Sequence, residues 1–381
     1  MTPFELFFDL VFVFALTQIT GYLAHTHTGL GIVQGVVLLG LLWWAWSAYT
    51  WLGNQAQADL GIMRVGMVVA MMAIFVLALT IPDAWHDQPG GLHASSVLAG
   101  AYIVIRLVHL GLYVIAARGD AGLRHQLALN LLPQGAGGAL LLVGAAVGDG
   151  PQTAIWALAL GVDWVLTYVT SLRGGGWRIN SIGHWIGRHG LVVILALGES
   201  IVAIGVGASG TPIDWQLLMG AVLGILVAMA LWWLYFDVSA DAAERALHRR
   251  DLDGRVRAAI EAYTYLHFSM ILGIVVASVG VREAIAHARD DVGLGAFAAG
   301  CLFVGPAVYL AGHVLSWMRL DRVVKLQRLV TAVALLAATP LAAQLVPLAA
   351  LVFVSAVLGA LVAFETLRYA AVRAEFARTR T

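Results

Sequence analysis

Apolar runs of about twenty residues, each closed by a short polar stretch, recur from one end of this chain to the other and constrain it more than anything else. A run of that length, wound as a helix, covers a hydrocarbon core of roughly 30 Å. Lipid offers no partner for backbone N–H and C=O groups, so each crossing must close its own hydrogen bonds, which a helix does. We read twelve such spans, near 4–24, 30–52, 62–81, 95–116, 126–147, 152–171, 189–208, 214–237, 262–281, 295–317, 326–343 and 346–367. Only 12% of the residues are charged, where a soluble domain carries about 25%. This excludes a water-soluble enzyme and a nucleic-acid binder, and the formal net charge of zero removes any global field for a charged partner. The expected fold is an all-α polytopic membrane protein whose partners are the lipid bilayer and a small solute or ion. The first run carries Glu5 and Asp9 and lacks a basic start, so it reads as a span rather than a leader peptide.

Basic residues give the expected orientation. Loops after even-numbered spans hold Arg64, then Arg118 and Arg124, Arg173 to Arg188, Arg245 to Arg257 and Arg319 to Arg328, and the tail adds Arg368, Arg373, Arg378 and Arg380. Nineteen of the 22 basic residues thus fall on one side; Arg282 and Arg289 fall on the other, and Arg106 lies within a span. The positive-inside rule then predicts that both termini are cytoplasmic. The polar stretch 239–261 places Glu244, Arg245, His248 and Arg249 at helical spacing and reads as a cytoplasmic linker helix. The expected organisation is a first six-helix half over 1–171, helices seven and eight over 172–238, the linker over 239–261, and helices nine to twelve with a basic tail over 262–381.

The two halves repeat one another. Asp9-Leu-Val-Phe-Val-Phe-Ala-Leu-Thr-Gln18 aligns without a gap on Gly190-Leu-Val-Val-Ile-Leu-Ala-Leu-Gly-Glu199, which sets Gln18 opposite Glu199. Trp43-Trp44 matches Trp232-Trp233, and His109 matches His313. Six helices per repeat give both halves the same orientation.

The opening Phe4-Glu-Leu-Phe-Phe8-Asp9-Leu-Val-Phe-Val-Phe-Ala-Leu-Thr-Gln18 resembles the signature of the bacterial low-temperature-requirement A (LtrA) family. So do His184-Trp-Ile-Gly-Arg188-His-Gly190-Leu, running into Leu197-Gly198-Glu199-Ser-Ile-Val202, and the tract Trp43 to Trp51 with Asn54. The family commonly has Glu-Arg before the Gly-Leu, whereas Gly187-Arg188 and then His189 stand here. The resemblance covers essentially the whole chain and implies a polytopic inner-membrane protein associated by name with growth in the cold; it implies no particular reaction. A more distant likeness, through Phe8-Asp9, is to the two-repeat lysosomal potassium channels.

Ionisable groups at membrane depth mark the candidate site, since each costs at least about 2.5–3.5 kcal/mol at a helix centre. Glu199 lies mid-way along span seven, Arg106 along span four and Asp163 along span six. Tyr102, Arg106, His109 and Tyr113 share one helix face, and Arg106 is expected to neutralise Glu199, Asp163 or both. Glu5 and Asp9, four residues apart, share a face near the start of span one; Gln18 projects away from Asp9. His267 and His313 are candidate relay groups, because imidazole titrates near neutrality. His184 and His189 are five apart and share a helix face poorly, and no multi-cysteine set exists with Cys301 alone, so no metal or cofactor is expected. The tryptophans at helix ends read as interfacial anchors, and Gly205 and Gly207 as a point where span seven could break. The function this predicts is a proton-coupled secondary transporter. A cation channel built on the Phe-Asp motif is the first alternative, and a membrane enzyme acting on a lipid or quinone the second.

Overall fold

Capping side chains set where the apolar runs begin. Thr2 opens the first helix with a capping box: its hydroxyl accepts from Glu5 N–H and its own N–H donates to the Glu5 carboxylate. Thr28, Asp120, Asp214 and Asp251 do the same for later helices by accepting from the N–H three residues on. The computed structural model describes residues 2–56, 61–237 and 239–370. Within them the chain forms α1 (Pro3–Thr26), α2 (Gly29–Gln55), α3 (Gly61–Thr80), α4 (Ala94–Ala116), α5 (Ala121–Val147), α6 (Asp149–Gly174) and α7 (Ile182–Ala208). It continues with α8 (Trp215–Phe236), α9 (Ser239–His248), α10 (Leu252–Ala258), a π-helical stretch (Ala259–Leu266), α11 (His267–Ala286), α12 (Ala296–Leu320), α13 (Leu326–Ala342) and α14 (Pro347–Arg368). Eleven helices among the described residues are long and apolar enough to cross a membrane, and α13, with 17 residues, is a shorter apolar helix. The basic tail with Arg373, Arg378 and Arg380 lies outside the described residues.

The chain divides into two units, residues 1–188 with 251–260 and residues 189–250 with 261–381. In the first, α2 is the hub: it packs on α1, α4 and α6, while α3 joins α1 to α4 and α5 joins α4 to α6. Enclosure by three helices is why Trp43, Trp44, Trp46 and Trp51 are buried, each under 8% exposed. The expectation that these four are interfacial anchors is therefore corrected; Trp232 and Trp233, on the surface of α8, keep that role open.

In the second unit α11 and α12 make the most extensive contact. Glycine permits it. A Cβ on Gly280 would fall 2.8 Å from the Cys301 carbonyl carbon, and one on Gly273 would fall 2.5 Å from the Tyr309 nitrogen. Such backbone-to-backbone approach excludes any side chain. Around this pair α8 packs on α11 and α14, α13 packs on α12 and α14, and α9 packs on α8 and α12.

Two expected elements differ. The linker 239–261 is two helices rather than one. After α9, Arg250 donates to the carbonyls of Arg319 and Leu320 at the end of α12, supplying partners that a helix C-terminus lacks, and Asp251 then caps α10. The second piece continues through the π-helical stretch into α11. Helix α7 starts at Ile182 rather than 189 and runs unbroken past Gly205 and Gly207. Gly207 serves packing instead, lying against the Arg282 backbone.

Candidate functional site

The segment before α7 is clamped to the last turn of α2. Asn54 accepts from Asn180 N–H at 2.7 Å and donates to the Ser181 carbonyl at 2.8 Å. This fixes where α7 begins and aims its first two turns at α1. His184 Nε2 lies 2.9 Å from the Glu5 carboxylate. One helical turn on, Arg188 grips Asp9 with both terminal nitrogens, at 2.7 and 2.9 Å. Trp46 Nε1 donates to the same Asp9 carboxylate at 3.2 Å, and its ring lies 5.7 Å from the Arg188 guanidinium. Gly53 of α2 leaves room for the upper rung, since a Cβ there would meet Glu5 Oε1 at 2.9 Å. Asp9 and Arg188 are 0% and 1% exposed. The two sequence signatures thus meet as a two-rung ladder of acids on α1 and bases on α7. Phe8 is wholly buried beside them, its ring 5.1 Å from that of Tyr49.

The sequence carries the signal for this ladder as two i, i+4 pairs of opposite charge: Glu5 and Asp9 on one motif, His184 and Arg188 on the other. Setting His184 against His189 hides it. Counting Arg188 and Arg328 as loop cations is likewise corrected, because both sit inside helices and are buried.

A second buried pair lies between α4 and α6 of the first unit. Arg106 Nη2 is 3.4 Å from Asp163, whose other oxygen accepts from Thr167 at 3.1 Å. Of the two partners expected for Arg106, this unit supplies Asp163. His109, on the same face of α4, turns to α2 and lies 3.0 Å from the Ala48 carbonyl, with the Tyr49 and Tyr113 rings against it. Gln18 is half-buried on α1.

Glu199, His267 and His313 belong to the second unit. Glu199 is fully buried and accepts from Ser278 of α11 at 3.0 Å. Ten residues earlier on α7, the His189 ring stands 5.2 Å from that of His267, also on α11. Tyr235 touches the rings of both His267 and His313 (5.6 and 5.7 Å), Tyr309 packs on His313 at 4.7 Å, and Tyr263 packs on His189 at 4.9 Å. Tyr263 sits in the π-helical stretch, whose widened turn offsets it from the α-helical register of α11. A cavity of about 30 Å³, large enough for a water molecule, is bounded by His267, His313, Tyr235, Tyr263 and Ser316. Gly190 packs against Phe236, and Gly198 faces open space. Among the described residues no group of three or more His, Cys, Asp or Glu side chains is arranged to hold a metal.

Sequence reasoning missed one further pair in this unit. Arg328 of α13 forks onto Glu365 of α14, with contacts of 2.9 and 2.7 Å, and also donates to the Leu234 carbonyl at 2.9 Å. The signal was an acid inside the last apolar run, at Ala363-Phe-Glu365-Thr.

The model of the family described as bacterial low temperature requirement A protein matches residues 1–363, and the chain belongs to that family. An uncharacterized protein of Rhizobium meliloti (strain 1021) is 29% identical over 331 residues, covering 83% of this chain and 76% of that protein. No solved structure matches the chain.

Proposed function

We propose that this member of the low temperature requirement A family is a proton-coupled transporter of a small solute or ion, with Glu199 as the group that takes and gives the proton. The observation that carries this reading is the pair of links between α7 and α11: Glu199 with Ser278, and His189 with His267. Ten residues of helix separate Glu199 from His189, about 15 Å. Titratable groups therefore occur at two depths along the same helix pair, and the small cavity beside His267 and His313 has room for a bridging water. A carboxylate at mid-span is expensive to keep charged, so its protonation removes a large local cost and changes how α7 and α11 hold each other. Arg106, paired with Asp163, serves in this reading as a separate fixed charge pair.

The reading also places the chain in the bacterial inner membrane with both termini cytoplasmic, supported by the one-sided distribution of arginines. It treats the two halves as copies of one six-helix module, supported by the gapless match of residues 9–18 with 190–199. Against an open channel entrance at the Phe-Asp motif stands the grip of Arg188 on Asp9.

The test is uptake into vesicles containing the purified chain, under an imposed pH gradient, from a mixed pool of labelled amino acids, organic acids and inorganic cations. Uptake of at least one solute should collapse with the gradient and fall at least tenfold in Glu199→Gln. Uptake that ignores both the gradient and the substitution refutes the proposal, and unitary currents in a planar bilayer would replace it with a channel.

A further inference from the structure

Arg106 sits midway along α4, where each hydrogen on its guanidinium needs an acceptor that lipid does not provide. Asp163 supplies one, through a single contact of 3.4 Å to Nη2, against the two shorter contacts by which Arg188 forks onto Asp9. Three other side chains share the surroundings of Arg106. Tyr102 and His109 lie one turn before it and one turn after it on the same face of α4. On α6, the residue after Asp163 is Trp164, whose ring lies 5.3 Å from that of Trp44 on α2, so α2 passes at the level of Arg106. Ser47 follows one turn on from Trp44, and the next residue, Ala48, meets His109 Nε2 with its carbonyl at 3.0 Å. Ser47, Tyr102, Arg106 and His109 are 1%, 3%, 9% and 5% exposed. Among the described residues, Ser47 Oγ, the Tyr102 hydroxyl, Arg106 Nε and His109 Nδ1 meet no hydrogen-bond partner within the protein. Buried polar atoms are costly to leave so, and four between the same helices point to a ligand.

Their chemistry selects it. Arg106 Nε–H only donates. A carbonyl only accepts, so the hydrogen of the uncharged His109 ring lies on Nε2, toward Ala48, and Nδ1 is left as an acceptor. The two hydroxyls give or take as required. A halide would accept from Arg106 but would face the His109 lone pair and the Asp163 carboxylate. A cation would face Arg106. A small neutral molecule that both gives and takes hydrogen bonds answers all four groups. A buried water makes about three hydrogen bonds, so four such atoms call for about one or two molecules.

We propose that the first unit binds buried water between α2, α4 and α6, accepting from Arg106 Nε–H and donating to His109 Nδ1, with Ser47 and Tyr102 completing its coordination. The water gives Arg106 the partner that Asp163 leaves over, which lets this charge pair stand at membrane depth. The site does not depend on the transport reading, whose groups lie in the second unit.

The experiment uses the full chain in neutral detergent. Brief X-ray irradiation splits bound water into hydroxyl radicals, and mass spectrometry of the digested chain shows which side chains they oxidise. Corrected for intrinsic reactivity, Tyr102 should be oxidised at least about tenfold faster than Phe303, which is wholly buried against the Phe353 ring. In parallel, unfolding by SDS compares Tyr102→Phe and Ser47→Ala with the wild type. Where water is bound, deleting either hydroxyl loses a hydrogen bond and should raise the unfolding constant about threefold to tenfold. Where none is bound, the same deletion relieves an unsatisfied group and the constant holds or falls. The proposal is overturned by Tyr102 oxidation no faster than that of Phe303, or by an unfolding constant that holds or falls in either variant. Saturable stabilisation by chloride over gluconate, lost in Tyr102→Phe, would put an anion there and overturn it too.

Discussion

The rung between Asp9 and Arg188 yields a prediction whose asymmetry tests the reasoning. Two charge-assisted contacts, of 2.7 and 2.9 Å, join side chains that are 0% and 1% exposed. Removing one partner of such a pair strands the other and costs about 3–5 kcal/mol. The partners escape differently. A stranded carboxylate can take up a proton and become neutral, whereas a guanidinium stays charged at any accessible pH. Asp9→Asn keeps the shape and the Trp46 bond but leaves Arg188 charged and buried, so the loss should be about 3 kcal/mol and nearly constant between pH 5 and 8. Arg188→Met should cost a similar amount at pH 8 and clearly less at pH 5. The double variant should be more stable than the two losses added together, with a coupling of about 2–3 kcal/mol. Unfolding by SDS in mixed micelles, followed by tryptophan fluorescence, measures all four corners of the cycle. Additive losses, or an Arg188→Met loss that does not vary with pH, would refute the claim that these side chains form a buried ion pair.

Gly280→Ala should separate α11 from α12, because its Cβ meets α12 backbone that cannot move aside, and should cost about 1–3 kcal/mol in the same unfolding assay. Lys325 makes a second, independent contribution to pH dependence. Its folded value of about 7 lies below the ordinary 10.5, so the unfolded chain binds more protons in that window and stability rises as pH climbs from 7 to 10.5. A pH series of unfolding midpoints should show that rise in the wild type and lose it in Lys325→Met.

The helices were legible because the membrane imposes a length and a composition on each, and both are written locally. All the expected spans correspond to helices, with ends displaced by a few residues except at α7, whose first two turns carry the polar His184 and Arg188 and lie outside the apolar run. What decides their place is a distant partner: Asn54 fixes the start of α7, and Glu5 and Asp9 receive its bases. Spacing within each motif held that information, but matching one motif to the other requires knowing which helices are neighbours. The same limit explains Arg328 and Glu365. Tryptophans misled for a related reason, since an aromatic residue near a helix end suits both an interface and a helix enclosed by others, and only the hub position of α2 settles it. Arg106 was the opposite case. Its depth demanded a carboxylate, and Asp163 was among the two expected.

Arg188 follows Asp9 by 179 residues, and the ribosome makes about 5–20 residues per second. For roughly 10 to 40 s of synthesis, the first helix holds an acid whose base does not yet exist. A buried acid without its base costs α1 part of its insertion energy, less near the helix start, where Asp9 lies, than at a helix centre, and that cost stands through the synthesis of the next five helices. The definitive seating of α1 waits for the opening turns of α7, and a nascent chain halted anywhere short of Arg188 carries an incomplete first unit.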